Sequence, residues 1–425
     1  MKKYFLIGIK GKGMQALAKY LSMQGNKVEG YDVSLEQDSI YSELEKIGIK
    51  IYDNYEICNS DDYEIIVTPA IPADKLQKIN HYKYYNDFIA EITKNNNTIC
   101  VAGSFGKTTT STFLFQILNN IIGCNCIIGD GTGFYNRKND MLVLESCEFK
   151  RHFLDYNPND VIITNIGLEH TDCYKDLDEI ITTFVNFSNK SSHDIIVYGD
   201  MDNIDYSIFK KKIYKYGFLR NNDVVIKNYN YLDNTTNIVL LYKGKECTFK
   251  VPIILLKHQI LDLVACITFC LLKSYNVTQM ENSLQCISLP KYRIVRENIN
   301  GIDVIWDYCG HYAGIKNNIE EIKKIYSNKK IKVIYEPISY NRVINTLDFI
   351  CDALKLADYV YICDIYPLRE SKIEQYNFSA ENIIEKVKNS KYWNKEQLLY
   401  FNDNDLVLIF APVSINQIKN KIRKK

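Results

Sequence analysis

The sequence lacks several features that would place it in other classes of protein. Its 52 basic and 51 acidic side chains leave a formal net charge of +1, so no positive excess indicates a nucleic-acid partner. No apolar run reaches the roughly 18 residues that a membrane-spanning helix needs, and no segment resembles a signal peptide. The 13 cysteines include no Cys-x-x-Cys pair. We therefore expect reduced thiols in a cytoplasmic protein with no membrane partner.

The length and the apolar pattern predict the domain organisation. At roughly 150 residues per domain, the 425 residues provide for about three domains, and 46% of the residues are hydrophobic. Strand patterns alternate with helix patterns, which predicts α/β domains with parallel sheets. We expect a Rossmann-like domain over 1–94, a central phosphate-loop ATPase-like domain over 95–291, and a Rossmann-like domain over 292–425. The pattern after the last strand predicts a basic tail helix.

The strongest chemical signal is the stretch Val101–Thr110, which lies between a strand pattern and a helix pattern. Gly103 and Gly106 permit a tight turn whose backbone N–H groups face an anion. Lys107 supplies a charge for a terminal phosphate, and the Thr108 hydroxyl is a ligand for Mg²⁺. Only two residues separate the glycines, so we interpret the stretch as a shortened phosphate loop. The alternative is an ordinary strand–turn–helix with a surface lysine.

A second glycine-rich turn lies near the N-terminus, with Gly8, Gly11, Gly13 and Met14 between a predicted strand and a predicted helix. Asp32 ends the next strand, where an acidic side chain binds ribose in dinucleotide folds. The spacing of the glycines is not the standard one. A nucleotide or nucleotide-sugar site and a plain Rossmann-like turn are therefore both open.

Polar side chains follow later strands of the predicted central domain. Glu145 and Glu148 follow one apolar strand, and His170 follows the next. Because the carboxyl ends of parallel strands share an edge, these side chains should meet Lys107 and Thr108. A carboxylate and a histidine beside a phosphate loop indicate a divalent-metal site. Taken singly, each is equally consistent with a solvated acid or a core histidine.

Taken in order, these motifs resemble those of the Mur ligase family over nearly the whole chain. Ala102–Thr109 resembles the ATP loop of the family, with Phe105 where the family usually has His. Gly8–Met14 resembles the turn that contacts UDP. Thr164–Asp172 resembles the metal-binding segment, with Glu169 in place of Asp.

Motifs of the third domain resemble the family less closely. Asp307–Ala313 is similar to Asp-Asp-Tyr-Gly-His-His-Pro and keeps His311, while Pro337–Arg342 is similar to Pro-His-Arg-Tyr-Thr-Arg and keeps Tyr340 and Arg342. Most departures fall in this amino-acid-binding domain and in the loops that face it. The identity of the amino acid is therefore left open.

The resemblance implies an ATP- and Mg²⁺-dependent ligase. It would join an amino acid such as L-alanine to the carboxylate of a UDP-linked sugar, UDP-N-acetylmuramate, through an acyl phosphate in peptidoglycan precursor synthesis. The protein would act as a monomer or homodimer. A divergent Mur-type ligase for another carboxylate or a muropeptide, and a nucleotide-binding pseudo-ligase, are the alternatives.

The resemblance also implies a set of site residues. The implied catalytic residues are Lys107, Glu145, His170 and His311. The implied ATP-binding residues are Gly103, Ser104, Gly106, Lys107, Thr108, Thr109, His258, Arg293 and Asp307, with Arg296 as the rival of Arg293. Mg²⁺ would be held by Thr108, His170 and either Glu145 or Glu148. The implied substrate-binding residues are Gly8, Gly11, Gly13, Met14, Asp32, Tyr340 and Arg342.

Overall fold

Mostly parallel sheets covered by helices organise the chain, as the alternation of strand and helix patterns predicts. The computed structural model of the protein describes residues 1–34, 39–59, 62–168, 173–367, 370 and 376–425. The chain divides into two compact units, Met1–Ser288 and Leu289–Lys425. Among the described residues no helix is long and apolar enough to cross a membrane.

The N-terminal sheet places the first glycine turn after its central strand. Its strands are β1 (Lys3–Ile7), β2 (Lys27–Tyr31), β3 (Lys50–Tyr52), β4 (Glu64–Val67) and β5 (Lys83–Tyr84), and its helices are α1 (Lys12–Met23), α2 (Ser39–Lys46) and α3 (Tyr85–Lys94). The order is β3-β2-β1-β4-β5, and every pair is parallel. Phe5, Leu6 and Ile7 are fully buried, so β1 forms the centre of this layer.

The central sheet belongs to the same unit and contains the strand that leads into the phosphate loop. Its strands are β6 (Asn97–Ala102), β7 (Asn125–Ile127), β8 (Gly133–Phe134), β9 (Met141–Glu145), β10 (Asp160–Ile163), β11 (Ile195–Tyr198), β12 (Ile213–Gly217), β13 (Val224–Leu232), β14 (Thr235–Tyr242) and β15 (Lys245–Val251). Its helices are α4 (Lys107–Ile121), α5 (Leu177–Ser188), α6 (Lys257–Leu272) and α7 (Val277–Leu284).

The register of the central sheet determines which loops meet. The strand order is β15-β14-β13-β12-β11-β10-β6-β9-β7-β8. Strand β6 lies between β10 and β9 and is parallel to both. Ala102 pairs with Ile163, and Val101 pairs with Glu145. The segments that follow these three strands therefore lie side by side at one edge of the sheet.

The second unit contains its own sheet. Its strands are β16 (Val295–Ile299), β17 (Ile302–Asp307), β18 (Lys330–Tyr335), β19 (Tyr359–Ile362), β20 (Ser390–Tyr392), β21 (Leu399–Phe401), β22 (Asp405–Phe410) and β23 (Ile422–Lys424). Its helices are α8 (Tyr312–Ile325), α9 (Tyr340–Asn345), α10 (Leu347–Leu354), α11 (Ala380–Ile384) and α12 (Ile415–Lys419). The main order is β16-β17-β22-β18-β19-β20, in which only the β16–β17 pair of the described strands is antiparallel.

The structure differs from the predicted organisation at the C-terminal tail. The predicted basic tail helix is wrong beyond Lys419, because Ile422–Lys424 forms strand β23 and pairs with β21. The predicted boundary at residue 95 lies between α3 and β6, inside the first unit, and the one at residue 292 lies near the division after Ser288. The three predicted domain ranges stay a prediction.

Candidate active site

The phosphate loop has a backbone conformation that only glycine accommodates. Gly103 has φ +147°, and a Cβ there would lie 2.0 Å from Thr164 Oγ1. Gly106 has φ +83°, and a Cβ there would lie 2.3 Å from Asp262 Oδ1. Gly106 also precedes the first residue of α4. The loop therefore leads directly into a helix N-terminus, whose N–H groups and dipole favour a phosphate.

The segment after β10 holds the tip of this loop. Ser104 N donates to Asn165 O at 3.1 Å, and Ser104 Oγ donates to Gly167 O at 2.9 Å. Phe105 N donates to Asn165 Oδ1 at 2.9 Å, and Asn165 Nδ2 donates to Phe105 O at 2.8 Å. This reciprocal pair determines the position of the loop before any ligand binds.

Lys107 points back into the loop. Its ammonium donates to Gly103 O at 2.5 Å and Ser104 O at 3.2 Å. It also lies 2.9 Å from Glu148 Oε2, and the Glu148 side chain is only 2% exposed. The ammonium therefore lies inside the phosphate loop, where a phosphate would bind. The Glu148 carboxylate lies beside the ammonium.

Thr108 and Glu145 form a second polar pair at the start of α4. The Thr108 hydroxyl donates to Glu145 Oε1 at 3.0 Å, and Gly129 N donates to Glu145 Oε2 at 2.7 Å. Burial raises the pKa of Glu145, although the Gly129 N–H and the charge of Lys107 oppose this shift. A cation bound beside the carboxylate would stabilise its ionised form.

The oxygens of Thr108, Glu145 and Glu148 suit Mg²⁺ in the presence of a nucleotide. Among the described residues, no three His, Cys, Asp or Glu side chains converge as a metal site. Mg²⁺ is commonly held by one or two carboxylates together with phosphates and water, and does not need a cage made of protein alone. The donor set therefore fits this metal. The predicted ligand His170 lies outside the described residues.

Residues of the first unit contact the N-terminal glycine turn and fix its conformation. Gly8 has φ +83°, and a Cβ there would lie 2.4 Å from Thr68 Cγ2. Asp32 accepts from Lys10 N at 2.9 Å, so its carboxylate holds the turn in this structure. Met14 is 2% exposed and its side chain packs in the core, so its predicted substrate-binding role stays a prediction.

Tyr85 lies between this turn and the phosphate-loop edge. A Cβ at Gly13 would lie 3.2 Å from the Tyr85 hydroxyl oxygen, whereas one at Gly11 would meet Gly8 O at 3.3 Å. Burial, followed by the charge of Glu145, raises the pKa of Tyr85. The structure therefore places the turn and the candidate metal ligands around one shared tyrosine.

In the second unit, Asp307 ends β17 and is buried. Asn318 Nδ2 donates to Asp307 Oδ2 at 2.7 Å, and Arg293 Nη1 lies 3.7 Å from Asp307 Oδ1. Burial raises the pKa of Asp307 even though Arg293 opposes the shift. Arg296 lies on the neighbouring strand β16. The predicted pair of Asp307 and Arg293 is brought together, while the choice between Arg293 and Arg296 for phosphate stays a prediction.

His311 and Arg342 also approach one another. His311 is the N-cap of α8, and its Nδ1 accepts from Ala313 N at 3.3 Å. Burial and the charge of Arg342 lower the pKa of His311. A Cβ at Gly310 would lie 3.5 Å from Arg342 Nη1. Both effects favour the neutral form of the imidazole.

Tyr340 begins α9 and is held by a carboxylate from a distant segment. Glu370 accepts from Tyr340 N at 2.7 Å, Asn341 N at 3.0 Å and the Ser339 hydroxyl at 2.9 Å. The Tyr340 ring stacks on Tyr376 with centroids 5.3 Å apart. These contacts fix the N-terminal turn of α9, which carries both Tyr340 and Arg342.

Comparison with known proteins identifies the family. The Mur ligase middle domain matches residues 101–270, and the catalytic domain of the Mur ligase family matches residues 3–95. A UDP-N-acetylmuramate–L-alanine ligase from Streptococcus gordonii is 31% identical over 399 residues, which cover 91% of this chain and 88% of that protein. The chain belongs to the Mur ligase family.

Solved structures show the same fold. The UDP-N-acetylmuramate–alanine ligase MurC of Thermotoga maritima matches with a TM-score of 0.81 and 21% identity, covering 99% of this chain and 97% of that chain. A murein peptide ligase from Psychrobacter arcticus matches with a TM-score of 0.70 and 19% identity, covering 99% of both chains. The predicted α/β fold and the predicted Mur ligase membership are confirmed, and the protein is a ligase.

Three residues of this Mur ligase site were missed as site residues in the sequence. Thr164 and Asn165 hold the loop, although the sequence motif containing them pointed only to His170. Asp262 contacts Gly106, and it lies four residues after the predicted ATP-binding residue His258 on α6. Residues four apart share a helix face. That spacing was the available signal for Asp262.

Other predicted members of the Mur ligase site lie at helix N-termini. Thr109 is buried in the first turn of α4, and His258 is in the first turn of α6. Seven predicted site residues of the first unit lie together at the phosphate loop, namely Gly103, Ser104, Gly106, Lys107, Thr108, Glu145 and Glu148. In the second unit the structure brings together Asp307 with Arg293, and His311 with Arg342.

Proposed function

We propose that this Mur ligase joins L-alanine, or a small amino acid like it, to the carboxylate of UDP-N-acetylmuramate, with ATP as energy source and Mg²⁺ as metal ion. The observation that carries the proposal is the phosphate loop, where Lys107 and the Thr108–Glu145 pair lie together at the start of α4. The Streptococcus gordonii relative is named for this reaction and aligns with 91% of the chain.

Amide formation requires that a carboxylate oxygen become a leaving group. In the first step, a carboxylate oxygen of the sugar attacks the γ-phosphorus of ATP, the bond to the β–γ bridging oxygen breaks, and ADP leaves. In the second step, the amine attacks the acyl carbon, the bond from that carbon to the phosphate oxygen breaks, and the nitrogen loses a proton. The products are the amide and inorganic phosphate.

The first unit contains the groups that stabilise the phosphoryl transfer. Lys107 and the N–H groups at the start of α4 would stabilise negative charge on the transferred group. Bound Mg²⁺ would neutralise charge on the phosphate oxygens, and Thr108, Glu145 and Glu148 are the described residues that would hold it. The turn from Gly8 to Gly13 would bind the UDP part of the acceptor. Its proximity to Tyr85, a residue that the charge of Glu145 also reaches, supports this assignment.

The second unit contains the groups proposed to bind the ribose and the amino acid. The carboxylate of Asp307 is fixed by Asn318 and would accept hydrogen bonds from the ATP ribose. Arg342 and Tyr340 lie in the first turn of α9, which Glu370 holds, and Arg342 would pair with the carboxylate of the amino acid. In neutral His311 the Nδ1 atom accepts from Ala313 N, so the ring proton lies on Nε2, which would donate a hydrogen bond to the substrate.

Phosphate release from ATP tests the proposal. The protein is incubated with ATP, MgCl₂, UDP-N-acetylmuramate and each amino acid of a panel. We expect release only when all four components are present, with the highest rate for L-alanine or another small amino acid. UDP-N-acetylglucosamine is the matched control, because it lacks the carboxylate. If no amino acid of the panel leads to phosphate release, the proposal is wrong.

The same assay separates the proposal from a muropeptide ligase. The murein peptide ligase of Psychrobacter arcticus shares the fold over 99% of the chain. Replacing the amino acid by a peptide of the cell wall tests this alternative. Phosphate release with the peptide, but with none of the amino acids, would favour a muropeptide ligase. Nucleotide binding without release under any condition would favour a pseudo-ligase. Light scattering of the same preparation tests the predicted monomer or homodimer.

A further inference from the structure

A strained turn follows Glu148 directly. Lys150 and Arg151 both have left-handed backbone conformations, with φ of 52° and 61°. Such a conformation is unfavourable at a residue other than glycine and persists only where the surroundings enforce it. Arg151 N donates to Glu148 O at 2.8 Å and closes the turn. The position of the Glu148 side chain therefore depends on whatever holds this turn.

A buried tyrosine holds it. The Tyr174 hydroxyl donates to Glu148 O at 2.6 Å, and the Tyr174 side chain is almost fully buried. The carbonyl of Glu148 thus accepts two hydrogen bonds, one from within the turn and one from Tyr174. Burial raises the pKa of Tyr174, which keeps the hydroxyl protonated and able to donate.

Arg151 couples the turn to α5. Its guanidinium lies 4.9 Å from the centroid of the Tyr174 ring, and its Nη2 donates to Cys173 O at 3.2 Å. The same nitrogen lies 2.5 Å from Glu179 Oε1, while Glu179 Oε2 accepts from Lys175 N at 2.7 Å. Glu179 is in the first turn of α5. The strained turn is therefore tied to α5 by the ion pair, and to the segment before α5 by the ring and backbone contacts.

We propose that Tyr174 and Arg151 are positioning residues that hold the carboxylate of Glu148 at Lys107, where it controls the binding of the metal–nucleotide complex. The inference rests on the proposed function for the role of Glu148. Glu148 follows β9 by three residues and lies 2.9 Å from the Lys107 ammonium, so a small movement of its backbone would displace the carboxylate from the phosphate loop.

The magnesium dependence of ADP binding tests the proposal. Calorimetry measures the dissociation constant of ADP at several MgCl₂ concentrations and without Mg²⁺. For Tyr174→Phe, which removes only the hydroxyl, we expect the apparent dissociation constant of Mg²⁺ to rise about tenfold, as for other groups that orient metal ligands. The affinity for ADP without Mg²⁺ should stay that of the wild type. A merely structural role would lower the unfolding midpoint and leave the magnesium dependence unchanged.

Tyr206→Phe is the matched control. The Tyr206 hydroxyl donates to the backbone oxygen of Tyr198 at 2.9 Å in the same unit, with no contact to Glu148 among those described. We expect its magnesium dependence to equal that of the wild type. If Tyr174→Phe does not fold, Arg151→Met decides, because Arg151 is 39% exposed and the methionine keeps the packing of the stem. Its expected effect has the same direction and is smaller.

The outcomes separate this inference from the proposed function. An unchanged magnesium dependence in both variants overturns the inference, while the wild-type turnover still tests the function. If the variants bind Mg²⁺ more weakly but the wild type releases no phosphate with any substrate, the inference stands and the proposed function is overturned.

Discussion

The loops at the carboxyl ends of the strands are held differently in the two units. In the first unit, glycine backbones lie where no side chain fits, as at Gly103 and Gly106. In the second unit, side chains from distant positions brace the loops, as Glu370 does for Tyr340 and Asn318 does for Asp307. A loop shaped by glycine tolerates little change, whereas a loop braced by side chains tolerates substitution when the brace is kept.

This difference accounts for where the chain departs from the Mur ligase pattern. The phosphate loop departs at Phe105, whose exposed side chain contributes only backbone groups to the pair with Asn165. The loop before α9 differs at Ile338 and Ser339, yet Glu370 still holds it. We infer that the phosphate chemistry is constrained by backbone geometry and that amino-acid recognition is set by replaceable side chains.

The largest expected effect is the loss of the charge at the phosphate loop. We expect Lys107→Ala to lower kcat for phosphate release by at least about a hundredfold, because a group that stabilises transition-state charge contributes on that scale. The measurement is steady-state release with saturating substrates. Lys138→Ala removes an exposed lysine of the same unit and should keep the wild-type rate. A Lys107→Ala enzyme with unchanged kcat would contradict the proposed site.

The next effect separates steric exclusion from backbone strain. Gly106 and Gly48 have nearly equal φ values of +83° and +81°, but a Cβ at Gly106 would lie 2.3 Å from Asp262 Oδ1, and one at Gly48 meets nothing within 4 Å. Gly48→Ala should lower the free energy of unfolding by about 1 kcal/mol. Gly106→Ala should lower it by about 2–4 kcal/mol, because overpacking adds to the strain.

Thermal or urea unfolding of the two glycine variants gives the comparison. ADP binding is measured alongside, and we expect it to be lost only in Gly106→Ala. Equal destabilisation of the two variants would show that the contact with Asp262 relaxes freely. The phosphate loop would then not be shaped by the lack of space that we describe.

A smaller effect is expected from removing a side-chain brace in the second unit. Glu370→Ala leaves the Tyr340 and Asn341 N–H groups without their carboxylate. We expect a loss of about 1 kcal/mol in the free energy of unfolding, as for other caps at helix N-termini. The KM for the amino acid should rise while the KM for ATP stays constant. Glu396→Ala, at an exposed position of the same unit, is the control. A rise in both KM values would contradict a role of Glu370 that is specific to amino-acid binding.

The sequence predicts features that local patterns determine and misses those that distant pairings create. The glycine turns and Glu145 were predictable, because strand ends and glycine spacing are visible within about ten residues. Strand β23 was not, because its partner β21 lies about twenty residues away and the local pattern is that of a charged tail. The brace from Glu370 likewise joins residues 30 positions apart. Asp32 shows a third case, since its carboxylate, which was predicted to bind a ribose, accepts from Lys10 N and holds the glycine turn.

The smallest expected effect concerns pH and His311. Because burial and Arg342 lower its pKa below the usual value of about 6.5, the unfolded chain binds more protons than the folded chain just below that pH. Stability should therefore fall as the pH falls from about 6.5 towards the folded pKa. The free energy of unfolding should change by less than about 1.4 kcal/mol per pH unit, since the ring is partly exposed to solvent.

Asparagine also caps helix N-termini and does not titrate in this range. His311→Asn should therefore keep the acceptor for Ala313 N and lose this part of the pH dependence. Unfolding midpoints at pH 7.5 and 5.5 for both proteins give the comparison, because every carboxylate is common to the two. The wild type should lose more stability than the variant between these pH values. An equal loss would show that burial and Arg342 do not lower the pKa of His311, and its proposed role as a neutral hydrogen-bond donor would lose its structural support.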